Sequence, residues 1–170
     1  MEAAAIQLRP WRTADLDAVA ELRNDLSLQR LLMARAQPES HDEVLEWLGR
    51  KSRQTDVEFL LIAKTEDDRV VGYIQATALD HRSGTADLGI CLMPEAQGQG
   101  FGRQACLMFH MHLARKFGLR KLVLRVLADN ARAIALYRQL GYRDVGTLLS
   151  HHRGTAMYHD VLIMEIFLTP

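Results

Sequence analysis

Apolar residues recur along this chain with two periods, one near 3.6 residues and one of 2, and the changes of period divide it into elements. Ile6 and Leu8 alternate ahead of Pro10, which suits a first short strand. Leu16, Val19, Ala20, Arg23 and Leu26 then share a helical face that is apolar except for Arg23, with Thr13 as the expected N-cap. That helix is expected to reach residue 33, bent or broken on the way, and residues 34–39, with Pro38, read as a loop. Ser40 and Glu43 have capping-box spacing, and Val44, Trp47 and Leu48 give the next helix a buried stripe ending near residue 53.

Residues 57–64 and 70–78 read as strands joined by the acidic turn Glu66-Asp67-Asp68. A turn at 80–85 with Gly84 leads to a third strand, 86–93, closed by Pro94, which has no N–H to pair. Residues 103–117 lack Gly and Pro and follow a helical pattern. Phe101, Ala105, Phe109 and Leu113 lie on one face, and Gly118 stands as C-cap. Residues 121–128 form a Val- and Leu-rich strand. Asp129 or Asn130 caps a helix with Ala133, Leu136, Tyr137 and Leu140 on one face, ended by Gly141. Two last strands, 142–149 and 157–168, flank a polar loop at 150–156. The sum is an α+β chain in three layers (α/β/α). A mixed, mostly antiparallel sheet of about seven strands carries helices on both faces, in one domain spanning 1–170.

Composition narrows the class. The chain has 170 residues, with 21 Lys+Arg against 21 Asp+Glu, so its formal net charge is zero. That balance argues against a general nucleic-acid binder. No apolar run reaches membrane-spanning length and the N-terminus lacks a signal-peptide pattern, so the expectation is a cytoplasmic protein without a membrane partner. Cys91 and Cys106 lie in apolar surroundings and read as buried thiols. Seven histidines raise the question of a metal. His110 and His112 are two apart on a helix and point in different directions, and no HExxH or CxxC pattern occurs, so no metal is expected.

The chemistry concentrates at Gln97-Gly98-Gln99-Gly100-Phe101-Gly102, between a strand and a helix. A helix start presents unpaired N–H groups and a positive dipole end to an anion, and glycines let a phosphate approach. The turn lacks the Gly-Lys-Ser/Thr of a P-loop, and Arg103 stands where a dinucleotide fingerprint needs its third glycine. From Ala96 to Ala128 the Asp/Glu/Lys/Arg side chains are all basic, and only Arg103 adjoins the turn. A tight β-to-α turn without a ligand would explain the glycines alone.

A second block changes the reading. Gln97-x-x-Gly100-x-Gly102, followed by Asn130-x-x-Ala133-x-x-Leu136-Tyr137 and Gly141-Tyr142, resembles the paired signatures of the GNAT superfamily of acetyl-CoA-dependent N-acyltransferases. The resemblance is strong from residue 86 to 142 and weak outside. It implies a twisted sheet splayed open between the Gly-loop strand and the next, with acetyl-CoA as co-substrate. Gln97, Gly98, Gly100, Gly102 and Arg103 would lie at its diphosphate, Leu92 and Met93 beside it, and Asn130 at the pantetheine arm.

The resemblance also makes Tyr137 the general acid toward the departing sulfur, and places Asp87 near the position of a catalytic Glu. Arg125 stands where one branch of the superfamily carries a Glu, so that base does not transfer. The implied reaction moves acetyl to a primary amine in a ternary complex. The acceptor is an amino sugar on a nucleotide carrier, a polyamine or a protein N-terminus; Arg23 and the loop histidines His151 and His152 are the expected acceptor contacts. The alternative is a non-catalytic acyl-CoA-binding regulatory domain on the same fold. A homodimer is compatible with either.

Overall fold

The computed structural model describes residues 5–34 and 37–168. The seven strands are β1 (Ile6–Arg9), β2 (Glu58–Lys64), β3 (Val70–Asp80), β4 (Thr85–Leu92), β5 (Lys121–Leu127), β6 (Arg143–Arg153) and β7 (Tyr158–Phe167). They form one sheet in the order β1-β2-β3-β4-β5-β7-β6. All neighbours are antiparallel except β4 and β5. Five helices accompany it: α1 (Leu16–Asn24), α2 (Leu26–Leu31), α3 (His41–Arg53), α4 (Phe101–Phe117) and α5 (Ala131–Gln139).

The alternation of side chains along β2 and β3 sorts the helices onto two faces. Phe59 and Tyr73 point to one side, where Trp47 of α3 meets their rings at centroid distances of 5.3 and 5.8 Å. Glu58, one residue from Phe59, points to the other side and bonds His112 (2.6 Å) and Lys116 (2.9 Å) of α4. Leu61, Ile62, Ile74, Leu122 and Met164 are fully buried between these layers. Among the described residues no helix is long and apolar enough to cross a membrane.

Local chemistry explains the breaks. Asp25 leaves the helical conformation and accepts from the Leu28 N–H at 3.0 Å, so the expected long first helix becomes α1 and α2. Thr13 is not a cap: it opens a single 3-10 turn held by the Asp15 carboxylate, which accepts from the Arg12 N–H at 2.7 Å. The Ser40–Glu43 capping box forms as expected. Residues 35 and 36 of the expected 34–39 loop lie outside the described residues.

The polar stretch at 150–156 is largely strand rather than loop. β6 runs through to Arg153, with an irregularity in register between Leu148 and His152 where Ser150 takes a positive φ of 48°. As the edge strand it is exposed along nearly all of its length, so no apolar alternation marks it in the sequence. Near the opposite end of the strand, Glu165 of β7 pairs with Lys121 of β5 and Arg143 of β6, tying three strands through one carboxylate.

The first strand is anchored by a buried ion pair. Arg9 donates from Nη1 and Nη2 to Asp15 at 2.8 and 2.9 Å, and from Nε to Asp68 at 2.7 Å. The Arg9 hydrogen bonds hold the Asp15 carboxyl below its usual range against the opposing effect of burial. A depressed carboxylate contributes stability above its unfolded pKa, about 3.9, and loses it as pH falls through the folded value. Asp15→Asn is expected to cost roughly 3 kcal/mol in chemical denaturation at neutral pH. The gap to wild type should shrink as the pH is lowered below about 4. An unchanged denaturation midpoint at neutral pH would contradict the anchoring role.

Candidate active site

β4 and β5 pair in parallel only at Thr85–Lys121, Ala86–Leu122 and Asp87–Val123. β4 then continues to Leu92 and β5 to Leu127 without pairing to each other. A cleft of about 660 Å³ opens between them and joins the two faces of the sheet. Its walls include Leu92, Gln97, Gly98, Gly100, Gly102, Arg103 and Asn130 from the expected cofactor set, together with Tyr137, Asp87 and Arg23.

The Gly-rich turn enters the cleft between β4 and α4. Gly98 and Gly100 have φ of 77° and 84°, a left-handed conformation that glycine adopts without the Cβ penalty. Gly100 stands at the N-cap of α4 and supplies no capping side chain, so the first N–H groups of the helix have no intrahelical partner. A Cβ on Gly100 would meet nothing within 4 Å, so the turn has room for a ligand against its backbone. Gln97 braces the turn. Its Nε2 donates to the Leu92 carbonyl at 3.1 Å, and its Oε1 accepts from Arg132 at 2.8 Å. Arg132 thus joins Arg103 as a second guanidinium beside the Gly-rich turn, a place its position inside the Asn130 motif did not reveal.

Asn130 caps α5, its Oδ1 accepting from the Ala133 N–H at 3.2 Å. Two turns later Tyr137 reaches the cleft, with only 7% of its surface exposed. Burial raises its phenol above the usual range, so the group keeps its proton at neutral pH. Its ring packs 5.5 Å from that of Tyr142, whose hydroxyl is 2.9 Å from Nε2 of His110. Burial lowers His110 to about 4, leaving a neutral imidazole. Cys91 and Cys106 are buried and free, each pushed up to about 12 by burial, which makes them poor nucleophiles.

The wall beneath α1–α3 has different chemistry. Asp87 carries an ion pair with Arg125, Oδ2 to Nη1 3.2 Å, with both side chains partly exposed. Arg23 grips Glu39 through Nε (2.9 Å) and Nη2 (2.5 Å), and its guanidinium lies 4.5 Å from the Trp47 ring centroid. Lys51, one helical turn beyond Trp47, is half-buried with Nζ 5.5 Å from the same centroid. Burial first, then the nearby Arg23 and Arg50, lower its pKa. On β3 the Gln75 amide oxygen is shielded from solvent and has no partner among the described residues.

Three expected contacts lie elsewhere. Met93 is buried in the core, its N–H bonded to the Val71 carbonyl at 2.8 Å, and it does not line the cleft. His151 and His152 stand on the edge strand β6, where His152 pairs with His159 across to β7, and neither lines the cleft. The physical reason is topological: β5 and β7 lie between β4 and β6 in the sheet. His110 and His112 do diverge, one to Tyr142 and the other to Glu58. Among the described residues no three His, Cys, Asp or Glu side chains gather in a metal-binding group.

Comparison with known proteins agrees with this geometry. Spermidine N(1)-acetyltransferase from Vibrio cholerae is 26% identical over 161 residues, covering 95% of this chain and 92% of its own. The Escherichia coli K12 enzyme of the same name is 27% identical over 165 residues, covering 97% and 87%. A mycothiol acetyltransferase from Saccharomonospora viridis is 35% identical over 107 residues, which span 59% of this chain and 35% of that one. The crystal structure of Vibrio cholerae spermidine N-acetyltransferase with CoA and spermine superposes with a TM-score of 0.89 at 23% identity, covering 96% of this chain and 95% of that chain. Residues 6–143 match the acetyltransferase (GNAT) domain, and with its splayed β4–β5 pair and glycine-rich helix start the chain belongs to the GNAT family of acetyl-CoA-dependent N-acetyltransferases.

Proposed function

We propose that the cleft between β4 and β5 holds acetyl-CoA and delivers its acetyl group to a primary amine entering from the α1–α3 side, by direct attack in a ternary complex. The observation that carries this reading is one opening that joins an anion-compatible helix start to a buried, protonated tyrosine. The diphosphate would rest on the N–H groups of the Gly98–Gly102 turn, flanked by Arg103 and Arg132. The amides of the pantetheine arm would pair with the unpaired backbone of β4 beyond Asp87 and of β5 beyond Val123, as an added strand does. Asn130 stands at the same wall, its side chain already holding the start of α5.

The thioester supplies an activated acyl carbon and a thiolate leaving group. The residues have to do the rest. The acceptor must reach the carbon as a free amine, and Asp87 is the carboxylate in the cleft wall that can take its proton, directly or through water. Arg125 fixes the position of that carboxylate. When the carbon–sulfur bond breaks, the electron pair stays on sulfur, and the Tyr137 hydroxyl gives it a proton. A tyrosine suits this step because burial keeps it neutral until a thiolate forms beside it. A second reading, acyl-CoA binding without catalysis, would not require that buried hydroxyl. It is disfavoured also because relatives matching nearly the whole chain bear acetyltransferase names.

The acceptor is an amine of low molecular weight or a peptide amine. Spermidine, a polyamine, is the acceptor named for the Vibrio cholerae and Escherichia coli relatives; an amino sugar on a nucleotide carrier and a protein N-terminus are the other two candidates. The contacts that choose among them come from α1, α3 and β3, with Arg23 in the wall, rather than from His151 and His152.

Two outcomes test this function. Gly100→Ala places a Cβ in the open space of the turn at a positive φ. It should weaken CoA binding by about tenfold or more while costing roughly 1–2 kcal/mol of stability. Calorimetry with unchanged CoA affinity would contradict the placement of the diphosphate. Tyr137→Phe keeps the packed ring and removes only the hydroxyl. CoA affinity and melting should stay near wild type, while the single-turnover rate of acetyl transfer should fall by about 10²-fold or more. That fall equals roughly 2.7 kcal/mol of barrier. A wild-type single-turnover rate would remove Tyr137 from the proton transfer.

A further inference from the structure

The acceptor side of the cleft carries an unbalanced positive charge. Among the described lining residues Asp87 is the one carboxylate, and it is already paired with Arg125. Arg23 is neutralised by two hydrogen bonds to Glu39. Lys51 makes no ion pair with a described carboxylate: Asp56 acts on it only at longer range, and burial, Arg23 and Arg50 outweigh it, while the ammonium sits half-buried against the Trp47 ring. A partly desolvated cation without a close ion-pair partner is costly unless a ligand brings an anion into contact.

Lys51 also stands on the wrong face to serve the CoA diphosphate. It belongs to α3, which packs with Trp47 on the Phe59 and Tyr73 face, whereas α4 covers the opposite face from its start at the Gly-rich turn. The orphan amide oxygen of Gln75 lies on the same wall as Tyr73 and asks for an N–H or O–H donor from a ligand. A polyamine could donate an N–H to Gln75 but brings no anion for Lys51: it adds further positive charge to a wall with no unpaired carboxylate among the described lining residues and one ammonium without an ion pair.

Resting on the transferase reading above, we propose that the acceptor is a primary amine bearing an anionic group, phosphate or carboxylate, which Lys51 binds while Gln75 takes a hydrogen bond from its N–H or O–H groups. Lys51 is then a specificity residue that touches the acceptor remote from the reacting nitrogen. This preference differs from the acceptor named for the spermidine N-acetyltransferase relatives, although fold and cofactor cleft are shared.

The test is thiol release from acetyl-CoA with matched amines. Glucosamine 6-phosphate is set against glucosamine, 4-aminobutyrate against butylamine, and spermidine stands as the cationic probe. The first pair reads phosphate and the second carboxylate. At least one anionic member should exceed its neutral partner and spermidine in kcat/KM by about tenfold. Lys51→Met should erase that advantage by raising the acceptor KM, with kcat and the acetyl-CoA KM unchanged, and Lys51→Arg should restore most of it. Spermidine used as well as the anionic amines, no anionic advantage, or an advantage that survives Lys51→Met would each overturn the proposal.

If no amine is turned over, the transferase reading fails on its own, and anion binding decides the rest. Pyrophosphate is then titrated by calorimetry into protein saturated with CoA, whose own diphosphate fills the turn. Binding by wild type that Lys51→Met abolishes would support the site. Equal binding by both, or none by wild type, would overturn it.

Discussion

The separation of β4 from β5 is the constraint on which the rest of this molecule depends. Two parallel strands begin as a normal pair and part after three residues each. Most of the candidate site residues are disposed around the wedge they leave. The Gly-rich turn closes its α4 side, Asn130 and Tyr137 come in from α5, and the aromatic and charged wall of α1, α3 and β3 closes the other. Unpaired strand edges are normally a liability. Here they lie inside the molecule and leave backbone donors and acceptors for an extended amide-bearing ligand. β5 keeps its other edge occupied by β7 along its whole length, from Lys121–Phe167 to Leu127–Val161, which holds the wedge open without loosening the sheet.

Burial then sets the protonation states. Tyr137 and Tyr142 are both raised by desolvation, and His110 is lowered by it, so a cluster of neutral donors and acceptors sits behind the Tyr137 end of the cleft. Cys106, in the same region, is kept as a thiol and does not compete as a nucleophile. The partly exposed Asp87–Arg125 pair follows the opposite logic, with charged groups where, in the proposed mechanism, an incoming ammonium would shed its proton. One cleft thus carries a buried, neutral end and a partly exposed, charged end, a division that suits the proposed transfer from a thioester to an amine.

Most of the scaffold is legible in the sequence because it rests on local rules. The capping box at Ser40, the Asn130 cap, the glycines of the turn and the period-2 strands each act within a few residues, and each forms where the pattern places it. The strand at 143–153 was an exception, as was the expected cap at Thr13. An edge strand exposed on both faces has no burial pattern to read, so polarity at 150–156 suggests a loop, and with it a recognition role for His151 and His152. The lining of the cleft was legible where a motif fixes both residue and register, as at Gly100 and Tyr137. It was not legible where contacts join distant segments. Arg125 meeting Asp87, Arg132 meeting Gln97 and Arg23 lying over the Trp47 ring are tertiary facts that no spacing announces.

The central claim is that acetyl-CoA lies in the β4–β5 wedge with its diphosphate on the turn before α4. Backbone amide resonances of ¹⁵N-labelled protein, followed through a titration with CoA, test it most directly. The account places the largest shifts at Gly98, Gly100, Gly102 and Arg103, continuing along the unpaired stretches of β4 beyond Asp87 and β5 beyond Val123, with β1 and the β6 edge unmoved. Shifts centred on β6 and β7, with the glycine amides unchanged at saturation, would contradict it.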